Sequence, residues 1–291
     1  ASGTGAAWLA ELYGPNARSQ ATITTIAANF SGLGVVPLLA GGLAAYAPFP
    51  LELPFIAYLV ALCLVGGLLA RFAPETVVKR PQDSHAPTWR PRIAVPKRIR
   101  GHFIAPATTI FASFALGGFY FALLPSVVSQ ALHGNGVAIG GAVVFELTIA
   151  TVVCVAVTRK LETQVAMFAG LVSLIPGAGL LVLAEALKSM PLMLVAAAVT
   201  GCAIGLGYRG SLQAINAIAP AERRAEVVSA YFIAGFVGNS LPVIGMGVVS
   251  SLSTTLTASI TLAVTVVVFA LFALVAGRRY SVAEFREQRA A

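Results

Sequence analysis

The chain has 291 residues, 58% hydrophobic and 10% charged, with a formal net charge of +8. Soluble domains carry about 25% charged residues, so this composition excludes a fold that hides its apolar residues only in a core surrounded by water. A bilayer asks for an apolar exterior as well, and one helical crossing of its roughly 30 Å hydrocarbon takes about 20 apolar residues.

In chain order, residues 1–10 are apolar but only half a crossing long. Ser2-Gly3-Thr4-Gly5-Ala6-Ala7 has the small residues of a packed membrane-helix face. No basic residue stands ahead of them, as a secretory leader would require. The expectation is that the chain starts inside a crossing. Eight full crossings follow at 21–45, 53–70, 103–129, 137–157, 164–184, 191–214, 227–250 and 252–276. Turn signals separate them: Pro48 and Pro50 after the first, His133-Gly134-Asn135-Gly136 after the third, Ser250 to Ser253 between the last two. Barrel strands are a poor alternative, because they alternate apolar and polar residues and these segments are apolar all round.

Loop charge sets the orientation. With the loop around Arg18 inside, eight crossings place residues 71–102, 158–163, 217–226 and the tail from 277 on the same side. Counting Arg209, near a crossing's end, to that side as well, only Lys188 of the 19 Lys and Arg residues falls elsewhere. Cytoplasmic loops are enriched in Lys and Arg, so that side is expected to be cytoplasmic in a multi-pass plasma-membrane protein. The positive charge is thereby explained, and nucleic-acid binding is not expected. The stretch 71–102 holds Lys79, Arg80, Arg90, Arg92, Lys97, Arg98 and Arg100 among Pro74, Pro81, Pro87, Pro91 and Pro96. It reads as a basic linker lying against anionic lipid headgroups. Two crossings precede it and six follow.

There is also a faint internal repeat. Pro15 and Arg18 open the first full crossing, and Pro220 and Arg223 open the seventh. At the same offset Pro37 falls on Pro242, Gly42 on Gly247 and Gly5 on Gly210. Both copies run the same way through the membrane, as parallel repeats about the membrane normal do.

Six crossings after a long basic loop, with a matching partial set before it, resemble the major facilitator superfamily. Ala219-Pro220-Ala221-Glu222-Arg223-Arg224-Ala225 resembles the family's loop between helices 10 and 11, with Ala225 where Gly is common. Thr158-Arg159-Lys160 stands where a degenerate copy of the family's basic loop motif belongs. Gly34-Val35-Val36-Pro37-Leu38-Leu39-Ala40-Gly41-Gly42 resembles the helix 5 motif of proton-driven drug exporters. Val36 replaces the Gly before Pro37, and Ala40-Gly41 stands where Gly-Gly is expected. The resemblance implies an all-α, major-facilitator-type bundle. Residues 1–70 would be the remainder of a first six-helix half (the end of helix 4, then helices 5 and 6), and 71–102 a cytoplasmic linker. Residues 103–277 would be a complete second half, helices 7 to 12, and 278–291 a cytoplasmic tail. Two parallel halves would put roughly 100 further residues ahead of Ala1.

Glu146 is the most informative single residue. It lies mid-crossing among Val143, Val144, Phe145, Leu147 and Ile149. A charged group there costs about 2.5–3.5 kcal/mol on insertion scales and usually faces a cavity or a partner. It is a candidate for proton coupling or substrate contact, against a structural hydrogen bond to a neighbouring helix. Arg209, in Gly205-Leu206-Gly207-Tyr208-Arg209-Gly210, is a gating or substrate candidate, against snorkelling to the inner surface or structural pairing. Asn29, Tyr120, Gln213, Asn216 and Asn239 are cavity-lining candidates, each also suited to an interhelical hydrogen bond. Pro37, Gly41, Gly42 and Pro242 are candidate helix-bending positions, and Arg18 and Arg223 candidate cytoplasmic-loop positions. Cys63, Cys154 and Cys202 fall on separate crossings and read as small apolar residues. No His lies within a crossing, no metal-ligand spacing occurs, and no Gly-Lys-Ser/Thr phosphate loop is present. No metal, cofactor, ATP-driven step or enzymatic activity is therefore expected. The resemblance points to a secondary transporter working by alternating access, exporting a small organic compound in exchange for protons. An importer of a sugar or organic acid, a membrane-embedded enzyme short of catalytic residues, and a non-transporting scaffold or remnant are the alternatives.

Overall fold

Backbone inside a bilayer has no water to bond, so an apolar stretch of crossing length closes its own hydrogen bonds as a helix. The computed structural model follows this rule throughout the residues it describes, which are 8–9, 12–13, 18–46, 49, 52–72, 95–124, 136–220 and 223–279. It contains eight long helices: α1 (Arg18–Tyr46), α2 (Leu53–Phe72), α3 (Arg100–Ala122), α4 (Gly136–Val157), α5 (Thr163–Ala186), α6 (Met190–Ile218), α7 (Arg224–Leu252) and α8 (Thr255–Arg279). A 3₁₀ turn, Lys97–Ile99, leads into α3. All eight helices are long and apolar enough to cross a membrane, and no strand occurs among the described residues. The expected eight crossings are found, and the protein is an all-α membrane bundle. Most of the basic linker, the stretch around His133, the opening small-residue segment and the C-terminal tail lie outside the described residues.

The helix ends are fixed by local chemistry. α5 closes with the Ser189 N–H bonded to Ala184 O at 3.0 Å and Lys188 in the left-handed region at φ 47°. That is the Schellman arrangement, in a position glycine usually fills. Pro191 then sits in the first turn of α6, where a missing N–H costs nothing. The break between the last two helices falls at Ser253 and Thr254, at the end of the Ser250 to Ser253 turn signal. Thr254 sets it: its Oγ1 accepts the Thr257 N–H at 3.1 Å and caps α8. Threonines within the helices bond their hydroxyls to their own carbonyls one turn back, as Thr109 does to Ala105 O at 2.7 Å and Thr261 to Thr257 O at 2.8 Å. This disposes of a polar group in lipid without a partner helix.

Packing depends on small residues. α6 is the hub, against α3, α4 and α5, while α3 also packs on α7 and α8. Van der Waals contact drives helix association in lipid, so interfaces favour residues that let backbones meet. A Cβ on Gly205 would lie 2.8 Å from Thr151 O, and one on Gly201 would collide with Leu147 O. That closeness lets Thr151 Oγ1 donate across the interface to Gly201 O at 2.9 Å. On the other side of α6, Gly207 and Gly210 meet the backbones of Gly170 and Met167 on α5. α1 packs along α4, where a Cβ on Gly141 would lie 2.7 Å from Pro37 O. No residue of α2 is buried.

Candidate functional site

Glu146 lies at the centre of α4, about 15 Å from either end at about 1.5 Å per residue. Its Oε2 is buried and accepts no hydrogen bond, and among the described residues no cation pairs with it. Other polar atoms of the bundle are likewise buried without a hydrogen-bond partner. The Tyr120 hydroxyl of α3 and Thr200 Oγ1 of α6 are among them. Tyr120 and Thr200 are both fully buried. Each buried polar group left unmatched costs about 1–3 kcal/mol, and these three stand on three different helices.

The chemistry of this group is specific. A lysine or arginine beside Glu146 would hold the carboxyl ionised. Tyrosine and threonine hydroxyls are neutral and rotate, so they donate to a carboxylate and accept from a carboxylic acid. Such hydroxyls therefore tolerate either protonation state while favouring neither by charge.

Arg209 takes a different place. It is 1% exposed, and its guanidinium points at the α4–α5 turn. Nη1 donates to Thr158 O, and Nη2 to Arg159 O at 3.1 Å and Leu161 O at 2.6 Å. The last carbonyls of a helix lack partners within it, and a cation there also suits the helix dipole. Arg209 thus ties α6 to the end of α4, which is the structural pairing weighed against a gating or substrate role. Thr158-Arg159-Lys160, the degenerate basic motif, is the turn it holds.

The other candidates are dispersed. Gln213 Oε1 accepts from Thr163 Oγ1 at 3.4 Å, a bond between α6 and α5. Asn239 packs on Gly118 of α3, where an added Cβ would meet its backbone oxygen at 2.7 Å and its Oδ1 at 3.0 Å. Asn29 on α1 and Asn216 on α6 are half-buried, Gly41 is buried, and Gly42 has open space beside it. Pro37 and Pro242 lie inside α1 and α7. Pro106 and Pro176 likewise lie inside α3 and α5, two interior prolines not singled out from the sequence. Arg223 is exposed at the start of α7, with Glu226 Oε2 at 3.8 Å. Arg18 opens α1.

An aromatic junction joins α1 to α3, α6 and α7. The buried Tyr208 ring of α6 meets Phe30 of α1 at 5.9 Å, Phe114 of α3 at 5.8 Å and Phe232 of α7 at 6.4 Å between centroids. Such tilted contacts suit the ring quadrupoles. The neighbouring Tyr231 hydroxyl bonds Ser211 Oγ at 2.7 Å. Neither this junction nor Thr200 is distinguishable in the sequence, because aromatic and threonine residues recur throughout the crossings.

A family model described as Major Facilitator Superfamily matches residues 1–242. The chain belongs to the major facilitator superfamily. A comparison with curated proteins gave no significant match. As a major facilitator, the protein is a multi-pass membrane transporter acting on small molecules, and its family consists generally of transporters rather than enzymes. The eight helices and the packing of α3 to α8 around α6 agree with that membership.

Proposed function

We propose that this major facilitator is a proton-coupled exporter of a small organic compound, working by alternating access, with Glu146 as the group that carries the proton. The supporting observation is Glu146 itself: a mid-membrane carboxyl whose Oε2 is buried with no hydrogen-bond partner and, among the described residues, no paired cation, in a bundle that also buries the neutral hydroxyls of Tyr120 and Thr200. Ionised, Glu146 incurs about 2.5–3.5 kcal/mol at this depth, and protonation removes that cost. Opening the carboxyl to water on one side favours release of the proton, and closing around it favours uptake.

The two halves divide as the resemblance implies, with α1 and α2 in one, α3 to α8 in the other, and the basic linker between them on the cytoplasmic side. Movement between the halves must then loosen the α1–α4 and α1–α6 contacts. The segment from Gly34 to Gly42, which resembles the exporter motif, sits at the first of these. A Cβ on Gly34 would collide with Thr148, two residues from Glu146. The charge on Glu146 is therefore carried by the helix that α1 grips most closely. Phe30 against Tyr208 makes the second contact and closes the bundle near the Arg209 end.

The test is accumulation of a fluorescent lipophilic cation in inverted membrane vesicles. With the interior acidified, export in the cellular sense appears as uptake, and collapsing the pH gradient should release the dye. Uptake indifferent to the gradient, with gradient-driven movement of a sugar or organic acid in the opposite sense, would replace this reading with that of an importer.

A further inference from the structure

Sequence spacing places Cys154 and Cys202 on separate crossings, but the fold brings them together. Cys154 lies on α4 one turn after Ala150, and Cys202 lies on α6. The Cys202 Sγ rests 3.9 Å from Ala150 O, the carbonyl one turn before Cys154 on the facing helix. The flanking glycines account for the closeness. Gly201 precedes Cys202 against Leu147 O, and Gly205 follows it against Thr151 O. The two cysteines thus stand within one turn of each other on helices whose backbones cannot be pushed closer. Both residues are half-buried.

We propose that Cys154 and Cys202 together form a two-thiolate site for a soft metal ion of linear coordination, the class of copper(I), silver(I) and mercury(II). Thiolate sulfur selects soft ions. Among the described residues no third His, Cys, Asp or Glu joins the pair. The four-ligand sets of structural zinc are therefore not met, whereas an ion content with two ligands is served. Binding breaks two S–H bonds, forms two S–metal bonds and releases two protons to water, and the metal keeps its oxidation state. A monovalent ion between two thiolates leaves one net negative charge. Arg209, which bonds the Thr158 carbonyl one turn beyond Cys154, supplies an offsetting positive charge at that end of α4. Cys63 is exposed on α2 and takes no part. The site joins α4 to α6 inside one half of the bundle and stands independently of which compound is transported or in which direction.

Silver(I) titration of the purified, reduced full chain carrying Cys63→Ala tests the proposal, with a monothiol and then a dithiol as competitors. One equivalent of silver should resist an excess of monothiol and be stripped by the dithiol. Cys154→Ser and Cys202→Ser should each lower the affinity at least 100-fold and make silver removable by monothiol. Cys154→Ala and Cys202→Ala supply the same comparison with apolar side chains, should serine disturb the packing. X-ray absorption of the bound ion should show two sulfurs and no further ligand shell. Wild-type affinity in either single-alanine variant, loss of silver to monothiol from the parent, or a shell of three or more ligands would overturn the site.

Discussion

Replacing Arg209 with Met keeps an unbranched apolar stem of similar length and removes the guanidinium from the α4–α5 turn. Three carbonyls lose the guanidinium as donor, Thr158 O, Arg159 O and Leu161 O, and of these Thr158 O keeps the Leu161 N–H at 2.9 Å. Hydrogen bonds to charged groups contribute about 1.5–3 kcal/mol each. Arg159 and Leu161 are exposed, so water can replace the donor at their carbonyls and most of that loss is recovered. Thr158 is half-buried and recovers less. Removing a buried charge also relieves its desolvation. The net expectation for Arg209→Met is a loss of about 2–4 kcal/mol, or roughly 30- to 900-fold in the unfolding equilibrium. Arg209→Lys should fall between, because one ammonium cannot span carbonyls that a planar fork reaches together. Reversible unfolding in mixed micelles, followed by tryptophan fluorescence or circular dichroism, measures both. A stability for Arg209→Met within about 0.5 kcal/mol of wild type would refute the tether. So would Arg209→Lys being no better than Met.

Three further outcomes are expected. Gly205→Ala should cost about 1–3 kcal/mol by overpacking the α4–α6 contact, whereas Gly247→Ala, with open space around it, should be neutral or slightly stabilising in the same unfolding assay. Lys188→Gly should raise stability by about 0.5–1 kcal/mol, since Lys188 holds the left-handed turn that closes α5; an unchanged or lower value would contradict the strain assigned to that turn. Single cysteines in place of Arg90 and Arg286, in a background without the native cysteines, should resist membrane-impermeant thiol reagents in intact cells, and labelling of either from outside would reverse the orientation.

The helices were legible because a bilayer imposes one backbone solution on long apolar segments, and composition alone reveals such segments. Their ends were less so. The break after α7 depends on a single threonine cap, and the end of α5 on a lysine in a conformation glycine usually supplies. The depth of Glu146 could be read from its position in its crossing, but its neighbours could not. Thr200 looks in the sequence like the many threonines that bond back to their own helix. Arg209 was readable as a cation near a membrane edge. Its partners are backbone carbonyls, which leave no mark in a sequence. The apposition of Cys154 and Cys202 was missed for a related reason: the glycines beside Cys202 announce a close neighbour without saying which helix it is. The linker and tail that carry the topology lie outside the described residues, so their sidedness rests on charge alone.

The role assigned to Glu146 is tested most directly by gradient-driven transport in proteoliposomes, comparing wild type with Glu146→Gln and Glu146→Asp at matched folded-protein yield. Glutamine keeps the size and hydrogen bonding of the carboxylic acid but cannot release a proton. Glu146→Gln should insert and fold normally, lose transport driven by a pH gradient, and retain exchange that moves no net proton. Glu146→Asp should be partly active, since its carboxyl persists on a shorter stem. Wild-type gradient-driven rates in Glu146→Gln would contradict the coupling role and leave Glu146 as a structural polar residue.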